Sequence, residues 1–368
     1  MTMENGERIK DLRQKIDRVD GEILRLLNER AEIVLEVGKM KSEARSNFYD
    51  PKRESEVLRR LISKNVGSFP DHAISSVFHE IISACRSLEI KLDVVYLGPE
   101  ATNTHMACLD RFGSSIRAMP KENIPEVFEA VEKGEASYGV VPIENTTEGS
   151  VSRTLDMLIE SEVKIFGEIL MRISHDLLSQ NGRPEDVRKI YSHPQALGQC
   201  RKWLRKNYPS VSLVETASTA TAAQMAAGDP DAAAIASSFA AHLYGLRVVR
   251  SQIEDYFHNY TRFLVLSRRD AERTGKDKTS ILFSISHIPG TLYQVLKHFS
   301  DGGINLTKIE SRPVRDRAWE YVFFIDLAGH ADEPRMEKAL QALRRRALFV
   351  KVLGSYPAWR WPEGEAKA

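Results

Sequence analysis

From Ile9 to Met40 the chain reads IKDLRQKIDRVDGEILRLLNERAEIVLEVGKM, and this stretch decides the first fold element. Apolar residues recur along one stripe as Ile9, Leu12, Ile16, Val19, Ile23, Leu26, Ile33, Val37 and Met40, the seam of a coiled-coil-like helix. No proline interrupts the run before Pro51, so a single long helix is predicted. Arg30 occupies a seam position where the pattern demands a large apolar side chain. A buried charge is too costly to leave unpaired, so Arg30 requires either a carboxylate from elsewhere in the protein or an anionic ligand. Lys41 lies three helical turns further on the same face, about 16 Å along the axis, and two long side chains bracket a small dianion across such a gap. Arg13 stands roughly 25 Å from Arg30 and about a quarter turn around the helix, too far to serve the same pocket in its own chain. It is either a solvated flank or a ligand given to a second copy, which would make this helix the spine of a dimer.

Two more helices follow. Asp50 and Pro51 form an N-cap and first-turn pair that opens a helix with Val57, Leu58, Leu61 and Ile62 on its apolar face. Glu54 lies one turn before Leu58 and is expected to face inward beside Arg53. A third helix, from about Asp71 to Ile90, carries Ile74, Val77, Phe78, Ile81, Ile82, Cys85 and Leu88, with Glu89 one turn beyond Cys85. Inward Arg, Lys and Glu on three apolar helices make a binding constellation, or else a structural ion-pair network. Residues 8–89 resemble the all-helical chorismate mutases, through Leu12-Arg13-Gln14-Lys15-Ile16-Asp17, Leu26-Leu27-Asn28-Glu29-Arg30, Val37-Gly38-Lys39-Met40-Lys41 and Asp50-Pro51-Lys52-Arg53-Glu54. The resemblance implies an intertwined homodimer. It also implies that Arg30, Lys41 and Arg53, with Arg13 of the partner chain, hold the carboxylates and ether oxygen of chorismate. Asp50 and Glu54 would bind its hydroxyl side, Cys85 would stand where serine is common, and Glu89 would lie beside the ether oxygen.

Composition narrows the remainder. Lys and Arg number 52 against 51 Asp and Glu, so no global field draws the chain to nucleic acid or an anionic membrane. Three cysteines without metal spacing fit a reducing cytoplasm, and neither a signal peptide nor a membrane-length apolar run is legible. No glycine-rich nucleotide motif occurs, and no metal or cofactor is expected.

Around Lys91 the helical rhythm ends, and short apolar runs alternate with helical patterns as far as about Ser267, the mark of α/β architecture. Strand ends lead into small polar residues at helix starts: Thr102 to Thr104, Asn145 to Ser150, Ser192 to Gln195, Ser218-Thr219 and Ser237-Ser238. Each is either a simple cap or part of an anion-binding cleft at the carboxyl ends of strands. Residues 93–267 resemble prephenate dehydratases, through Tyr96-Leu97-Gly98-Pro99-Glu100, Val141-Pro142-Ile143-Glu144-Asn145-Thr146-Thr147-Glu148-Gly149, Ser192-His193-Pro194-Gln195-Ala196-Leu197 and Thr261-Arg262-Phe263-Leu264. The resemblance implies two α/β lobes around a cleft, similar to type 2 periplasmic binding proteins. Thr261 matches the essential threonine, Arg262 would hold a substrate carboxylate, and Glu144 or a water would supply a proton. Asn145, Thr102, Thr147, Ser192, Gln195, Ser218, Thr219 and Phe263 complete the expected prephenate site. Ala101-Thr102-Asn103 and Tyr256-Phe257-His258-Asn259-Tyr260 depart from the family pattern, which leaves arogenate open as an alternative substrate.

After a charged stretch the pattern reads βαββαβ and resembles an ACT domain. Pro289-Gly290-Thr291-Leu292 and Glu310-Ser311-Arg312-Pro313 resemble its phenylalanine-binding form, implying an L-phenylalanine site from Gly290, Leu292, Asn305, Glu310, Ser311 and Arg312. The expected plan is thus an all-α mutase (1–91), a two-lobed α/β dehydratase (92–270), a linker (271–278), an α+β ACT module (279–358) and a polar tail (359–368). A dimer or tetramer is expected. The rival from another class is a non-catalytic amino-acid sensor built from the same cleft and module.

Overall fold

The computed structural model describes residues 2–43, 49–313 and 321–359. The chain divides into two compact units, residues 1–92 with 112–117 and residues 93–111 with 118–368.

The first unit is helical: α1 (Thr2–Glu43), α2 (Pro51–Ser63) and α3 (Asp71–Glu89). At the start of α2, Asp50 Oδ1 accepts the Arg53 N–H at 2.9 Å and Pro51 fills the first helical position. Both α1 and α2 pack on α3, which buries Ile74, Ser83, Cys85 and Arg86. The α1 seam departs from expectation, because Ile9, Leu12, Ile16, Val19 and Ile23 are all half exposed. Length explains this: the 42 residues of α1 span about 63 Å, while the 19 of α3 span about 28 Å. More than half of α1 therefore has no facing helix in its own chain.

In the second unit the elements run β1 (Asp93–Leu97), α4 (Asn103–Phe112), β2 (Arg117–Lys121), α5 (Ile124–Glu132), β3 (Tyr138–Asn145), β4 (Gly149–Ser150), α6 (Ser152–Glu160) and β5 (Lys164–Arg172). They continue with β6 (Asp176–Ser179), β7 (Lys189–Ser192), α7 (Pro194–Gln199), α8 (Arg201–Asn207), β8 (Ser212–Glu215), α9 (Thr219–Ala227), β9 (Ala232–Ala236), α10 (Ser238–Tyr244), β10 (Arg247–Arg250) and β11 (Tyr260–Ser267). The C-terminal module comprises β12 (Asp277–Ser284), α11 (Thr291–Asp301), β13 (Leu306–Pro313), β14 (Tyr321–Ala328), α12 (Pro334–Arg344) and β15 (Phe349–Pro357).

Three sheets result, ordered β2-β1-β3-β11-β5, β10-β6-β9-β7-β8 and β13-β14-β12-β15. The first two form the α/β lobes. β11 returns from the second lobe and inserts antiparallel between β3 and β5, which brings the end of that lobe to the centre of the first sheet. The third sheet is antiparallel throughout, and one of its faces packs on α11 and α12 through Ile281, Phe283, Val295, Phe299, Ile325, Leu327 and Leu340. On the other side it meets the first lobe, where Lys164 Nζ donates to the Val352 carbonyl at 3.2 Å and Lys351 Nζ to that of Ile159 at 3.3 Å.

Candidate functional sites

A cleft of about 470 Å³ lies in the α/β unit, lined by Thr102, Asn103, Thr104, Asn145, Ser150, His175, His193, Gln195, Gln199, Ser218, Thr219, Asn259, Thr261 and Phe263, among others. Strand ends and helix starts supply most of these, as the junction pattern predicts. Ser218 Oγ caps α9 by accepting the Thr221 N–H at 2.9 Å, and Thr102 Oγ1 accepts the His105 N–H at 3.3 Å near the start of α4. His193 Nδ1 accepts the Gln195 N–H at 3.3 Å, which leaves Nε2 as the donor nitrogen of that ring. Among the described residues no lysine or arginine lines the cleft, whereas Glu122 and Glu148 do, so only neutral donors and helix N-termini are there to meet an anion.

At its floor Asn259, Gln199, Thr147 and Asn145 close a ring of hydrogen bonds, fed by His175 and branching to Thr261. His175 Nε2 pairs with Gln199 Oε1 at 2.8 Å, and Asn259 Nδ2 donates to the same oxygen at 2.8 Å. Gln199 Nε2 then donates to Thr147 Oγ1 at 2.9 Å, and Thr147 Oγ1 donates to Asn145 Oδ1. Asn145 Nδ2 donates to Thr261 Oγ1 at 2.8 Å and to Asn259 Oδ1 at 2.9 Å. Burial holds the His175 imidazole below its usual pKa despite the Gln199 bond, so the ring is neutral and its Nε2–H feeds the relay. The Thr261 oxygen already accepts a bond, so its own O–H is free to donate into the cleft. Bonds aligned in this way polarise one another and strengthen that terminal donor.

Four expected cleft residues are not part of its lining. Successive side chains on a strand face opposite ways, so Thr261 and Phe263 line the cleft while Arg262 and Leu264 point behind the sheet. Arg262 is not a cleft residue: its Nε lies 2.8 Å from Glu168 and its Nη1 2.6 Å from Asp326. Glu144 also points behind the sheet, because the register between β3 and β11 steps from Arg262↔Glu144 to Phe263↔Pro142 and skips Ile143. Its carboxylate pairs with Lys308 at 3.0 Å, which removes it as the cleft's proton source. Ser192 is fully buried and donates to the Ile235 carbonyl at 2.7 Å, a strand-to-strand tie. Thr147 is a relay member rather than a lining residue.

In the helical unit, Glu89 is buried and its Oε2 lies 3.4 Å from Lys41 Nζ. Gly38 makes room for it, since a Cβ there would stand 2.9 Å from Glu89 Cγ. Arg30 Nη1 is buried and has no hydrogen-bond partner among the described residues. Two expectations change here. Arg53 is exposed, 3.7 Å from Glu56, and Glu54 is inward but bonded to buried Arg86. Asp50 is the α2 cap, and Cys85 is buried. Arg13 is exposed on α1, and the unbroken helix keeps it far from Arg30.

In the C-terminal module Gly290 begins α11 at φ 85°, a conformation that favours glycine, and Leu292 packs on the helix-side core. Asn305 and Ser311 are exposed. The Glu310-Ser311-Arg312 motif is split by strand alternation. Glu310 and Arg312 face the first α/β lobe, where Glu310 pairs with Ser150 and Arg312 Nη1 donates to the Ser152 carbonyl at 2.7 Å.

Residues 12–90 match the family model for chorismate mutase type II, residues 94–271 that for prephenate dehydratase and residues 279–345 that for the ACT domain. The chain is 52% identical over 355 residues to the bifunctional chorismate mutase/prephenate dehydratase of Aquifex aeolicus, covering 95% of this chain and 98% of the relative. The chain belongs to the bifunctional chorismate mutase/prephenate dehydratase family. Its Pseudomonas aeruginosa relative of the same description is 42% identical over 361 residues, covering 96% and 99% of the two chains. Among solved structures, a prephenate dehydratase from Arthrobacter aurescens in complex with L-Phe matches with a TM-score of 0.67 and 36% identity, over 72% of this chain and 89% of that one.

Membership in this mutase/dehydratase family makes the chain an enzyme with both catalytic domains, which overturns the non-catalytic sensor. No described helix is long and apolar enough to cross a membrane, and among the described residues no His, Cys, Asp and Glu group could hold a metal. Reading the sequence missed Gln199, Asn259, His175, His193 and Arg86. His193 and Asn259 stand inside quoted stretches but are given no role there, and Gln199 lies two residues beyond one of them. His175 sits between β5 and β6 in the polar run Ser174-His175-Asp176, which reads as an ordinary connection and carries no local signal.

Proposed function

We propose that the helical unit rearranges chorismate to prephenate, that the cleft converts prephenate to phenylpyruvate, and that the C-terminal module senses L-phenylalanine. The observation that carries the reading is the Thr261 hydroxyl, held by Asn145 and left with its O–H to donate into the cleft. In prephenate the C–C bond to the ring carboxylate breaks, carbon dioxide leaves, and the released electron pair moves through the ring and expels the hydroxyl group. That group takes up one proton and departs as water. Aromatisation drives the step, so the protein needs to orient the dianion and assist the leaving oxygen. Thr261 donates its hydrogen bond to that oxygen, and the N-termini of α4 and α9 hold the remaining carboxylate.

In the mutase, Arg30 and Lys41 grip the substrate carboxylates, and Glu89 stands beside Lys41 toward the breaking ether bond. Asp50, Arg53, Glu54 and Cys85 belong to the same substrate site, with Arg53 and Glu54 turning to the ligand on binding. The exposed α1 seam supports a homodimer in which Arg13 reaches the partner's pocket. Gly290, Leu292, Asn305 and Ser311 form the effector face, a reading supported by the relative solved with L-Phe. Domain limits at about residues 91, 270 and 278, and a cytoplasmic location, complete the proposal.

The experiment is to incubate purified protein with chorismate and no added cofactor and to follow both products. Prephenate followed by phenylpyruvate is expected; prephenate that accumulates unconverted while arogenate is consumed would reassign the second substrate. Subunit sharing has its own check. Inactive Arg13→Ala and Arg30→Ala proteins, mixed under proven exchange, are expected to regain part of the mutase activity, because a heterodimer contains one complete pocket. Exchange without recovery would place Arg13 outside the partner's site.

A further inference from the structure

A buried charge cluster lies behind the strand that carries Thr261. Three protein groups hold the Arg262 guanidinium: Glu168 on β5 at 2.8 Å from Nε, Asp326 on β14 at 2.6 Å from Nη1, and the Tyr356 hydroxyl on β15 at 3.0 Å from Nη2. Ser280 on β12 donates to Asp326 and shares a hydrogen bond with Tyr356, and Lys278 Nζ meets Glu168 at 2.8 Å. Burial opposes the Asp326 charge, but Arg262 and Lys278 beside it, with the Ser280 hydroxyl, outweigh burial and hold the carboxyl below its usual range. Tyr356 is fully buried.

Nη1 and Nη2 are bonded within the protein, Nε is buried against the Glu168 carboxylate without an aligned hydrogen bond, and the residue does not line the cleft, so no nitrogen of this guanidinium faces a substrate there. Its backbone, however, is next to that of Thr261. A side chain fixed at its far end by a rigid arginine fork fixes the strand position from which it grows. The Thr261 oxygen must in turn meet both Asn145 and the substrate, and a displacement of about 1 Å at such a group costs up to about a hundredfold in rate.

We propose that Arg262 is a positioning residue, which anchors β11 to the C-terminal sheet through Asp326 and Tyr356 so that effector-driven movement of that sheet reaches the Thr261 hydroxyl. The inference rests on the dehydratase reading above and assigns its arginine to support rather than to carboxylate binding. A substrate ligand and a positioning residue separate kinetically, because loss of ground-state binding raises KM whereas misplacement of the donor lowers kcat.

The test measures dehydratase kcat, KM for prephenate and the L-phenylalanine inhibition midpoint in wild type, Arg262→Met, Asp326→Asn and Tyr356→Phe, with mutase activity reporting that each chain is folded. Tyr356→Phe keeps the buried shape and removes one bond to Arg262, so it remains informative if a charge variant misfolds. Expected are kcat losses of about tenfold to a hundredfold in Arg262→Met and Asp326→Asn, with a smaller loss in Tyr356→Phe and KM within about twofold throughout. The inhibition midpoint should shift at least about tenfold in the same variants, the size of an ordinary coupling energy. The double variant Arg262→Met/Asp326→Asn should be no worse than either single one, as for two parts of one contact. A KM rise confined to Arg262→Met, with Asp326→Asn and Tyr356→Phe unchanged, would overturn the proposal in favour of a substrate ligand. Unchanged inhibition in all variants would overturn the effector route. A wild type without dehydratase activity would instead refute the functional reading itself.

Discussion

Thr261→Ala is expected to lower phenylpyruvate formation roughly a thousandfold, the scale seen when one well-placed transition-state donor is removed. The loss should fall on kcat, because Asn145, Gln199 and the helix N-termini that meet the substrate stay in place. Thr261→Ser keeps an oxygen that accepts from Asn145 and donates onward, so it should retain a large share of the activity. Mutase activity should be unchanged in both, since Arg30, Lys41 and Glu89 belong to the other compact unit. Assaying both reactions on one preparation checks this, and parallel loss of the two in a folded Thr261→Ala protein would refute the division of labour.

The second large effect is at Arg30. Its Nη1 is buried without a partner among the described residues, a costly arrangement that binding of an anion relieves. Arg30→Ala should therefore lower mutase activity by about a thousandfold or more, on the scale of losing a preorganised charge at the reacting centre. Stability should hold or rise, because no protein contact is lost at that nitrogen. Arg86 provides the contrast. It is equally charged and more deeply buried, but it is bonded to Glu54 and to the Phe112 carbonyl. Removing one partner of a buried pair costs about 3–5 kcal/mol, so Arg86→Ala should destabilise the protein by that order. Chemical denaturation of the two variants beside wild type separates a ligand-seeking charge from a structural one. Equal destabilisation by both would mean that Arg30 is held by the protein.

These contrasts show what a linear sequence conveys. The α1 seam, the Asp50-Pro51 start of α2 and the βαββαβ order are legible because each depends on local periodicity or one turn of backbone. The site is less so. Thr261-Arg262-Phe263 reads as one motif, but a strand alternates its faces, and the same three letters serve the cleft and the buried cluster behind it. Glu310-Ser311-Arg312 divides for the same reason. Glu144 is turned away by a register step between β3 and β11 that no propensity encodes. Gln199, His175 and Asn259 come from separate elements and acquire meaning only where the second lobe returns to the first. The exposure of the seam is a matter of helix lengths, which the sequence states but which periodicity alone does not weigh.

The lack of lysine and arginine in the cleft lining bears on how the two reactions respond to their medium. Dipoles and neutral donors act over a few ångströms, well inside a Debye length of about 8 Å at physiological ionic strength, and the Glu122 and Glu148 carboxylates in the lining repel a dianion less as ions screen them, so dissolved ions do not weaken its capture there. On the proposed reading Arg30 and Lys41 meet chorismate as formal charges, and mobile ions weaken an attraction of that kind. As ionic strength rises, capture of chorismate therefore weakens before capture of prephenate does. An intermediate made by the salt-sensitive step and removed by the salt-tolerant one would then not build up as ionic strength rises.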